Sequence, residues 1–227
     1  LPAASLARLR TIIPPAVHIL EHALDKYGPD HFGLSFNGGK DCTVLLHLMA
    51  AVWFHKLQST TPRIRTVHVQ QQDGFVEEDA FVAKSAARYN LDLTPVQGPM
   101  QPGLSVFHKT YPSIHAVAVG TRRTDPWCQH LQPFSPCDVD KGWPDLMRVN
   151  PILDWQYSDV WLFLHALRVE YCVLYDLGYT SLGSKARTVR NPALKKTTQE
   201  IEQGGEDAQE YWPAWRLMDA SSERCGR

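Results

Sequence analysis

Apolar residues in the first 120 positions alternate between helical spacing and short continuous runs. One set recurs at intervals of four and three residues and predicts a helix with a single apolar face: Ile13, Val17, Leu20, Leu24 and Tyr27. Pro14 and Pro15 fall near the predicted start of this helix, and Gly28 lies just past its end. Residues 32–36 then form a short apolar run, which is typical of a buried strand.

The same alternation continues to residue 120. The predicted elements are a helix with its apolar face at positions 44–52, a strand at 65–70, a helix at 77–89, a strand at 93–97, a short helix at 104–111 and a strand at 115–120. Strands that alternate with helices indicate an α/β fold with a doubly wound, mostly parallel sheet. The last strand consists of small apolar residues, which favours a position covered on both faces.

The pattern changes after residue 120. Residues 121–155 are rich in Pro, Trp, Asp and Arg and show little periodicity, which predicts long ordered loops of the kind that bind ligands. Residues 159–168 indicate another helix, with Ser158 as its N-cap. We expect a second loop at 175–194 and an exposed acidic turn at 200–210.

Charge and hydropathy exclude several classes of protein. The chain has 23 Lys and Arg residues against 24 Asp and Glu residues, so no overall field favours nucleic acid or an anionic membrane as a partner. No apolar stretch reaches the roughly 20 residues that span a bilayer, and the start does not resemble a signal peptide. The chain begins with Leu1 rather than Met, so we expect it to be a domain of a longer polypeptide.

Five scattered cysteines without a C-x-x-C spacing favour a reducing compartment over a disulfide framework. Cys128, His130 and Cys137 are close in sequence, but no fourth ligand follows at a spacing typical of zinc sites. We therefore do not expect zinc.

The segment from Ser35 to Asp41 joins a predicted strand to a predicted helix and carries two glycines, a lysine and an aspartate. Consecutive glycines allow successive N–H groups to point into one concavity, and the helix that follows adds its partial positive end. Lys40 adds a mobile cation. The pattern predicts a cradle for a chain of phosphates, although a tight turn with an ordinary first-turn carboxylate at Asp41 remains an alternative.

The segment lacks both the G-x-x-x-x-G-K-[ST] and the G-x-G-x-x-G patterns. It resembles the S-x-G-G-K-D loop of the ATP α-hydrolase (PP-loop) superfamily, in which the loop holds the pyrophosphate that leaves ATP. Asn37 and Cys42 stand where many members have glycine or serine, so this resemblance alone leaves the acceptor of the nucleotide undecided.

Five further motifs, in the expected order, resemble the eukaryotic FAD synthase family of FMN adenylyltransferases: GTRRTDPWC, DLMRVNPILDW, YCVLYDLGYTSLG, RNPAL and the closing ERCGR. The resemblance implies a PAPS reductase-like domain over residues 1–227, with an ATP-binding core at 1–120 and flavin-binding loops and a tail at 121–227. It implies Mg²⁺ with ATP, FMN as substrate and FAD as product. Some members carry an extra N-terminal domain. We expect a cytoplasmic protein, with a mitochondrial isoform as an alternative, and client apo-flavoproteins as partners.

Candidate residues follow from the loop and from the resemblance together. Those expected to act in catalysis are Asn37, Asp41, Arg122, Asp125, Arg224 and Arg227. Those expected to bind ATP or flavin are Ser35, Phe36, Asn37, Gly38, Gly39, Lys40, Gln70, Gly120, Arg122, Asp125, Asp138, Arg224 and Arg227. Asp41 is also the expected Mg²⁺ contact, directly or through water. Trp143 and Trp155 could either stack on the flavin or anchor their loops to the core.

Two alternative functions belong to other classes of protein. A sulfonucleotide reductase has the same scaffold and a C-terminal catalytic cysteine, but Cys225 is followed only by Gly226 and Arg227, without the usual E-C-G-x-H pattern. A flavin-binding module that delivers FAD without making it is the second alternative.

Overall fold

The computed structural model describes residues 2–58, 63–203 and 209–227 and contains one six-stranded sheet. The strands are β1 Phe32–Ser35, β2 Ile64–Gln70, β3 Leu91–Gln97, β4 Ala116–Ala118, β5 Phe134–Pro136 and β6 Met147–Val149. The helices are α1 Ala3–Tyr27, α2 Lys40–Leu57, α3 Val76–Arg88, α4 Met100–Thr110, α5 Tyr157–Ala166 and α6 Thr198–Gln203. No helix in the described part of the chain is both long enough and apolar enough to span a membrane.

The strand order is β3-β2-β1-β4-β6-β5, and only β5 runs antiparallel to its neighbour. The chain winds outward from β1 to β2 and β3 and then returns to place β4 on the other side of β1. The topological switch point therefore lies between β1 and β4, where open α/β sheets bind their ligands beyond the carboxyl ends of the strands. The loop after β1 and the segment after β4 meet there. The predicted doubly wound, mostly parallel fold is confirmed.

Buried apolar side chains form one cluster on each face of the sheet. The larger cluster includes Leu20 of α1, Leu46 of α2 and Phe163 of α5, because these three helices pack on one another and on the sheet. The smaller cluster includes Phe107 of α4 and Val117 of β4. Burial of both faces explains the nearly continuous apolar sequences of β1 and β4.

Helix α1 is longer than the sequence predicted. It begins at Ala3, so Pro14 and Pro15 lie in its interior rather than near its start. A proline inside a helix removes a backbone hydrogen bond, which costs about 3 kcal/mol or more. Burial of Leu9 and Ile12 ahead of the prolines offsets part of this cost and keeps the first turns on the core.

Other predicted boundaries were wrong for local reasons. The segment at 121–155, predicted as loops, also contains β5 and β6. The prediction missed these strands because three residues are too few to show an alternation of apolar and polar positions. Ser158 lies inside α5, whose N-cap is Gln156 in a reciprocal capping box with Asp159. The predicted turn at 200–210 begins as part of helix α6, and its residues 204–208 lie outside the described part of the chain.

Candidate active site

The loop after β1 is held in a tight conformation by its own side chains. Gly38 has a φ of 82°, and a Cβ atom there would lie 3.0 Å from Val82 of α3. The Asn37 Oδ1 accepts hydrogen bonds from the Gly39 N–H at 3.1 Å and from the Cys42 thiol at 2.9 Å. The predicted phosphate cradle is thus a rigid corner that ends at the first turn of α2, where helical N–H groups have no partner within the helix.

The segment after β4 lies directly against this first turn. A Cβ atom at Gly120 would come within 2.8 Å of the Cys42 backbone nitrogen, so any larger residue would separate the two segments. This close approach allows Arg122, two residues later, to reach the side chain of Asp41. The contact depends on glycine at position 120.

Four ionisable side chains meet behind the loop, and we call them the charge cluster: Lys40, Asp41, Arg122 and Glu223. The Lys40 Nζ lies 2.5 Å from Glu223 Oε1 and 3.1 Å from Asp41 Oδ2, and it also donates to the Thr180 carbonyl at 3.2 Å. The Arg122 Nε lies 2.7 Å from Asp41 Oδ1, and its Nη2 lies 2.6 Å from Glu223. The two cations are almost fully buried.

The charge cluster pairs two basic side chains with two acidic ones. Burial alone would raise the pKa of Asp41, but Lys40 and Arg122 outweigh it and leave that pKa below its usual value. Burial would lower the pKa of Arg122, but Asp41 and Glu223 outweigh it in the opposite direction. An ammonium has three donors, and those of Lys40 are all given to protein acceptors. In this arrangement Lys40 and Arg122 hold carboxylates, and their contacts with phosphate stay predictions.

The C-terminal tail presents two more arginines. The Asp125 Oδ2 accepts a hydrogen bond from the Arg122 backbone N–H at 2.9 Å, and the Asp125 Oδ1 accepts one from Arg224 Nη2, also at 2.9 Å. Arg227 reaches the Ser181 hydroxyl at 3.3 Å. The tail is itself fixed, since the Gly226 carbonyl accepts from the backbone of residue 189 at 2.8 Å and Asn191 donates to the Ser222 carbonyl. The terminal arginines therefore occupy defined positions.

A cavity of about 270 Å³ joins the loop, the segment after β4 and the tail. It is lined by most of the sequence-predicted residues: Ser35, Asn37, Gly39, Lys40, Asp41, Gly120, Asp125, Arg224 and Arg227. A smaller adjoining cavity of about 40 Å³ is lined by Gln70 and again by Asn37 and Arg227. The structure thus brings the loop after β1 and the C-terminal tail to one site.

The remaining candidates lie beside this cavity. Phe36 is buried in the core, and its carbonyl faces the His68 ring nitrogen at 3.1 Å. Gly38 turns toward α3, and Arg122 lies behind the cavity wall in the charge cluster. Asp138 forms an ion pair with Lys141 at 2.7 Å on a short turn outside the cavity lining.

That turn contacts the start of α4, where the Gln101 side chain donates to the Lys141 carbonyl at 2.7 Å. Trp155 is buried against Phe163, with ring centroids 5.5 Å apart, so it anchors its loop to the core and cannot stack on a ligand. The alternative of flavin stacking is wrong for this residue. The Arg148 guanidinium lies 5.9 Å from the centroid of the Trp143 ring.

Among the cavity-lining residues that sequence reasoning missed are Glu78, Tyr175 and Glu223. Glu78 lies in a predicted helix and carries no local pattern that points to a ligand, whereas Tyr175 stands in the motif YCVLYDLGYTSLG but nothing within the motif singles it out. Glu223 stands in the quoted closing motif, but its partners are 183 and 101 residues away in sequence. Only the folded chain shows these contacts.

Glu78 lines both cavities and packs against Gly38. Burial, with a smaller contribution from Asp79, raises its pKa to about 7. The pKa of Glu78 is higher in the folded protein than in the unfolded chain, so the fold favours the protonated carboxyl group. The stability associated with this group is fully present below about pH 4.5 and is lost as pH rises through about 7. We expect Glu78→Gln to gain free energy of unfolding relative to wild type between pH 5 and pH 8, by up to about 3 kcal/mol.

The measurement is the urea unfolding midpoint of each protein at pH 5 and at pH 8. Glu77→Gln, an exposed substitution on the same helical turn, is the matched control and should follow wild type. A Glu78→Gln curve parallel to the wild-type curve over this pH range would show that the carboxyl group is ionised throughout.

Comparison with known proteins gives consistent matches to a family model and to curated relatives. Residues 31–190 match the model of the phosphoadenosine phosphosulfate reductase domain. A probable FAD synthase of Caenorhabditis elegans is 41% identical over 213 residues, which cover 93% of this chain but 39% of the relative. A probable FAD synthase of Schizosaccharomyces pombe is 36% identical over 100% of this chain and 82% of the relative. The chain therefore spans about two-fifths of the C. elegans relative and most of the S. pombe relative.

A solved structure of similar shape is Candida glabrata FMN adenylyltransferase in complex with FMN and the ATP analogue AMPCPP. It superimposes with a TM-score of 0.88 at 27% sequence identity and covers 100% of this chain and 92% of the other.

Proposed function

The chain belongs to the FAD synthase family, and we propose that it transfers the adenylyl group of ATP to FMN, giving FAD and pyrophosphate. The observation that carries the proposal is the cavity that joins the loop at Asn37–Lys40 to Arg224 and Arg227 of the tail. Adenylyl transfer to a phosphate needs two adjacent anion sites of this kind, one for each phosphate group.

In the proposed reaction an oxygen of the FMN phosphate attacks the α-phosphorus of ATP. The new bond joins that oxygen to phosphorus, the bond to the α,β-bridging oxygen breaks, and its electron pair leaves with pyrophosphate. The nucleophile is already an anion near neutral pH, so no general base is required. The barrier arises from bringing one anion to another, and positioned positive groups lower it.

The site supplies such groups from two directions. The Asn37–Lys40 loop and the start of α2 take the β and γ phosphates of ATP. The Gly39 N–H is bonded to Asn37 and the Lys40 N–H to Tyr175, so the donors come from the other amides of the loop and of the first turn of α2. Arg224, whose side chain is 42% exposed, and Arg227 take the FMN phosphate. The charge cluster fixes the loop and the tail relative to each other, which keeps the two phosphate sites at a constant separation.

Magnesium enters as MgATP in this proposal. Among residues 2–58, 63–203 and 209–227 no three His, Cys, Asp or Glu side chains cluster closely enough to hold a metal. Both Asp41 oxygens already lie within 3.1 Å of a cation. The phosphate oxygens would therefore be the main Mg²⁺ ligands, with Asp41 contacting the ion through water.

Adenine would bind at the carboxyl end of β2, near Gln70 and the smaller cavity, and the flavin ring near the turn that carries Asp138. The additional N-terminal domain, the client apo-flavoproteins and the cytoplasmic or mitochondrial location stay predictions. The reductase alternative is not favoured, because the relatives that match nearly the whole chain are named FAD synthases.

The test is to mix the chain with FMN, ATP and Mg²⁺ and to measure FAD and pyrophosphate by chromatography. We expect the two products in equal amounts and about 10²-fold slower transfer in Arg224→Ala and in Arg227→Ala, the scale of one lost transition-state donor. Arg10→Ala, an exposed substitution on α1, is the control and should match wild type.

The experiment tests the synthase activity and the roles of the two arginines separately. Absence of pyrophosphate from the wild-type reaction refutes the synthase and leaves a flavin-binding module. Equal amounts of product at wild-type speed in both tail variants refute the role given to the arginines.

A further inference from the structure

Tyr175 holds the phosphate loop from behind. It ends a short 3-10 turn at Val173–Tyr175, and its ring packs edge-on against Trp161 at 5.5 Å, which leaves the residue 2% exposed. Its hydroxyl oxygen accepts a hydrogen bond from the Lys40 N–H at 2.9 Å. The first residue of α2 is thus fixed by a side chain from a loop 135 residues away in sequence.

The same hydroxyl has a donor that the protein does not use. A phenol carries one hydrogen and can also accept, and the contact with Lys40 takes only an acceptor position. Within the described part of the chain no acceptor is found for the hydroxyl hydrogen. Tyr175 lines the main cavity, and its hydroxyl oxygen lies 3.6 Å from the position that a Cβ atom on Gly39, another lining residue, would occupy.

Two further facts make this donor useful. Burial, followed by the charge of Asp41, raises the pKa of Tyr175 well above its usual value, so the hydroxyl keeps its hydrogen at neutral pH. The neighbouring Cys42 thiol donates to Asn37, and the Lys40 ammonium donates to three protein acceptors. Tyr175, which lines the cavity, therefore offers this corner a side-chain donor that is not yet committed to a protein acceptor.

We propose that Tyr175 donates its hydroxyl hydrogen to the diphosphate that leaves ATP while it accepts from the Lys40 amide. This inference rests on the proposed function. Negative charge grows on the diphosphate as the bond to the α-phosphorus breaks, so the hydrogen bond strengthens in the transition state. The proton stays on the tyrosine, and the electron pair leaves with the diphosphate.

Tyr175→Phe keeps the ring and removes the hydroxyl. We expect kcat to fall about 10²-fold, with little change in KM for FMN. The matched control is Tyr171→Phe, because Tyr171 belongs to the same aromatic cluster and its hydroxyl donates to Asp176 at 2.9 Å, outside the cavity.

A second measurement separates donation from simple support of the loop. ATP analogues with CF₂, CHF or CH₂ between the β and γ phosphorus atoms raise the pKa of the leaving group in steps and leave the reacting bond unchanged. A lost donor makes the rate of Tyr175→Phe depend more steeply on that pKa than the wild-type rate does. Equal slowing with every analogue, together with a lower unfolding midpoint than Tyr171→Phe, would show that the residue is structural only.

Calorimetric titration with Mg²⁺-pyrophosphate tests the contact without flavin. We expect Tyr175→Phe to bind pyrophosphate about tenfold more weakly than wild type, the scale of one hydrogen bond to a charged group. Unchanged affinity would overturn the proposal. If wild type makes no FAD, the proposed function fails, and the titration still decides whether Tyr175 contacts the diphosphate.

Discussion

Glu223→Ala is expected to lower the free energy of unfolding by about 3–5 kcal/mol, because it leaves two buried cations with a single carboxylate. Glu223 lies 2.5 Å from Lys40 and 2.6 Å from Arg122, and the two cations are 2% and 1% exposed. Without Glu223, Asp41 remains as the carboxylate that contacts both cations. Urea unfolding followed by tryptophan fluorescence measures the loss, since Trp53 and Trp161 are buried in the core.

Two further variants test whether the loss of stability comes from removing the buried carboxylate. Glu170 also pairs with two cations, Lys84 and Arg88, but on the surface, so Glu170→Ala should leave the urea midpoint almost unchanged. Glu223→Gln keeps the size of the side chain and one acceptor oxygen and should fall between wild type and Glu223→Ala. A Glu223→Ala protein as stable as Glu170→Ala would mean that solvent reaches the charge cluster and compensates for the missing carboxylate.

The core of the fold could be predicted from the sequence because its strands are buried on both faces. The run at 32–36 is apolar apart from Ser35, the strand at 115–120 is apolar after His115, and the helices between them have periodic apolar faces. The edge of the sheet could not be predicted in this way. Strands β5 and β6 have three residues each, and the pairing of β6 with β4 and of β5 with β6 depends on the loop geometry of residues 121–155.

The candidate site likewise has a part that could be predicted from the sequence and a part that could not. The loop Asn37–Asp41 carries its chemistry in adjacent residues, so two glycines, a lysine and an aspartate in succession are enough to indicate an anion site. Partners that are distant in sequence leave no such local pattern. The sequence shows Lys40 as a free cation, whereas the fold pairs it with Glu223 and places its backbone N–H against Tyr175. Local patterns thus locate the site, and long-range contacts decide which donors face the ligand.

Asp41→Asn is expected to reduce kcat for adenylyl transfer about 10³-fold, the largest effect on activity that we predict for a single substitution. The carboxylate holds Arg122 through Oδ1 at 2.7 Å and Lys40 through Oδ2 at 3.1 Å. An amide offers one acceptor oxygen, and its NH₂ group would face a cation. One of the two cations must then move, and the phosphate loop moves with it. The loss of stability should be smaller than in Glu223→Ala, because Glu223 still contacts both cations.

Steady-state kinetics as a function of Mg²⁺ and pH distinguish this positioning role from metal binding. Because the pKa of Asp41 lies below its usual value, the side chain stays ionised from pH 5 to pH 8, and the deficit of Asp41→Asn should be constant over that range. If the carboxylate acted mainly through the metal, a large excess of Mg²⁺ would restore the rate. Asp25→Asn, on an exposed ion pair with Lys56, is the control. Full activity in Asp41→Asn would refute both roles, since neither a positioned cation nor a metal contact would then depend on its charge.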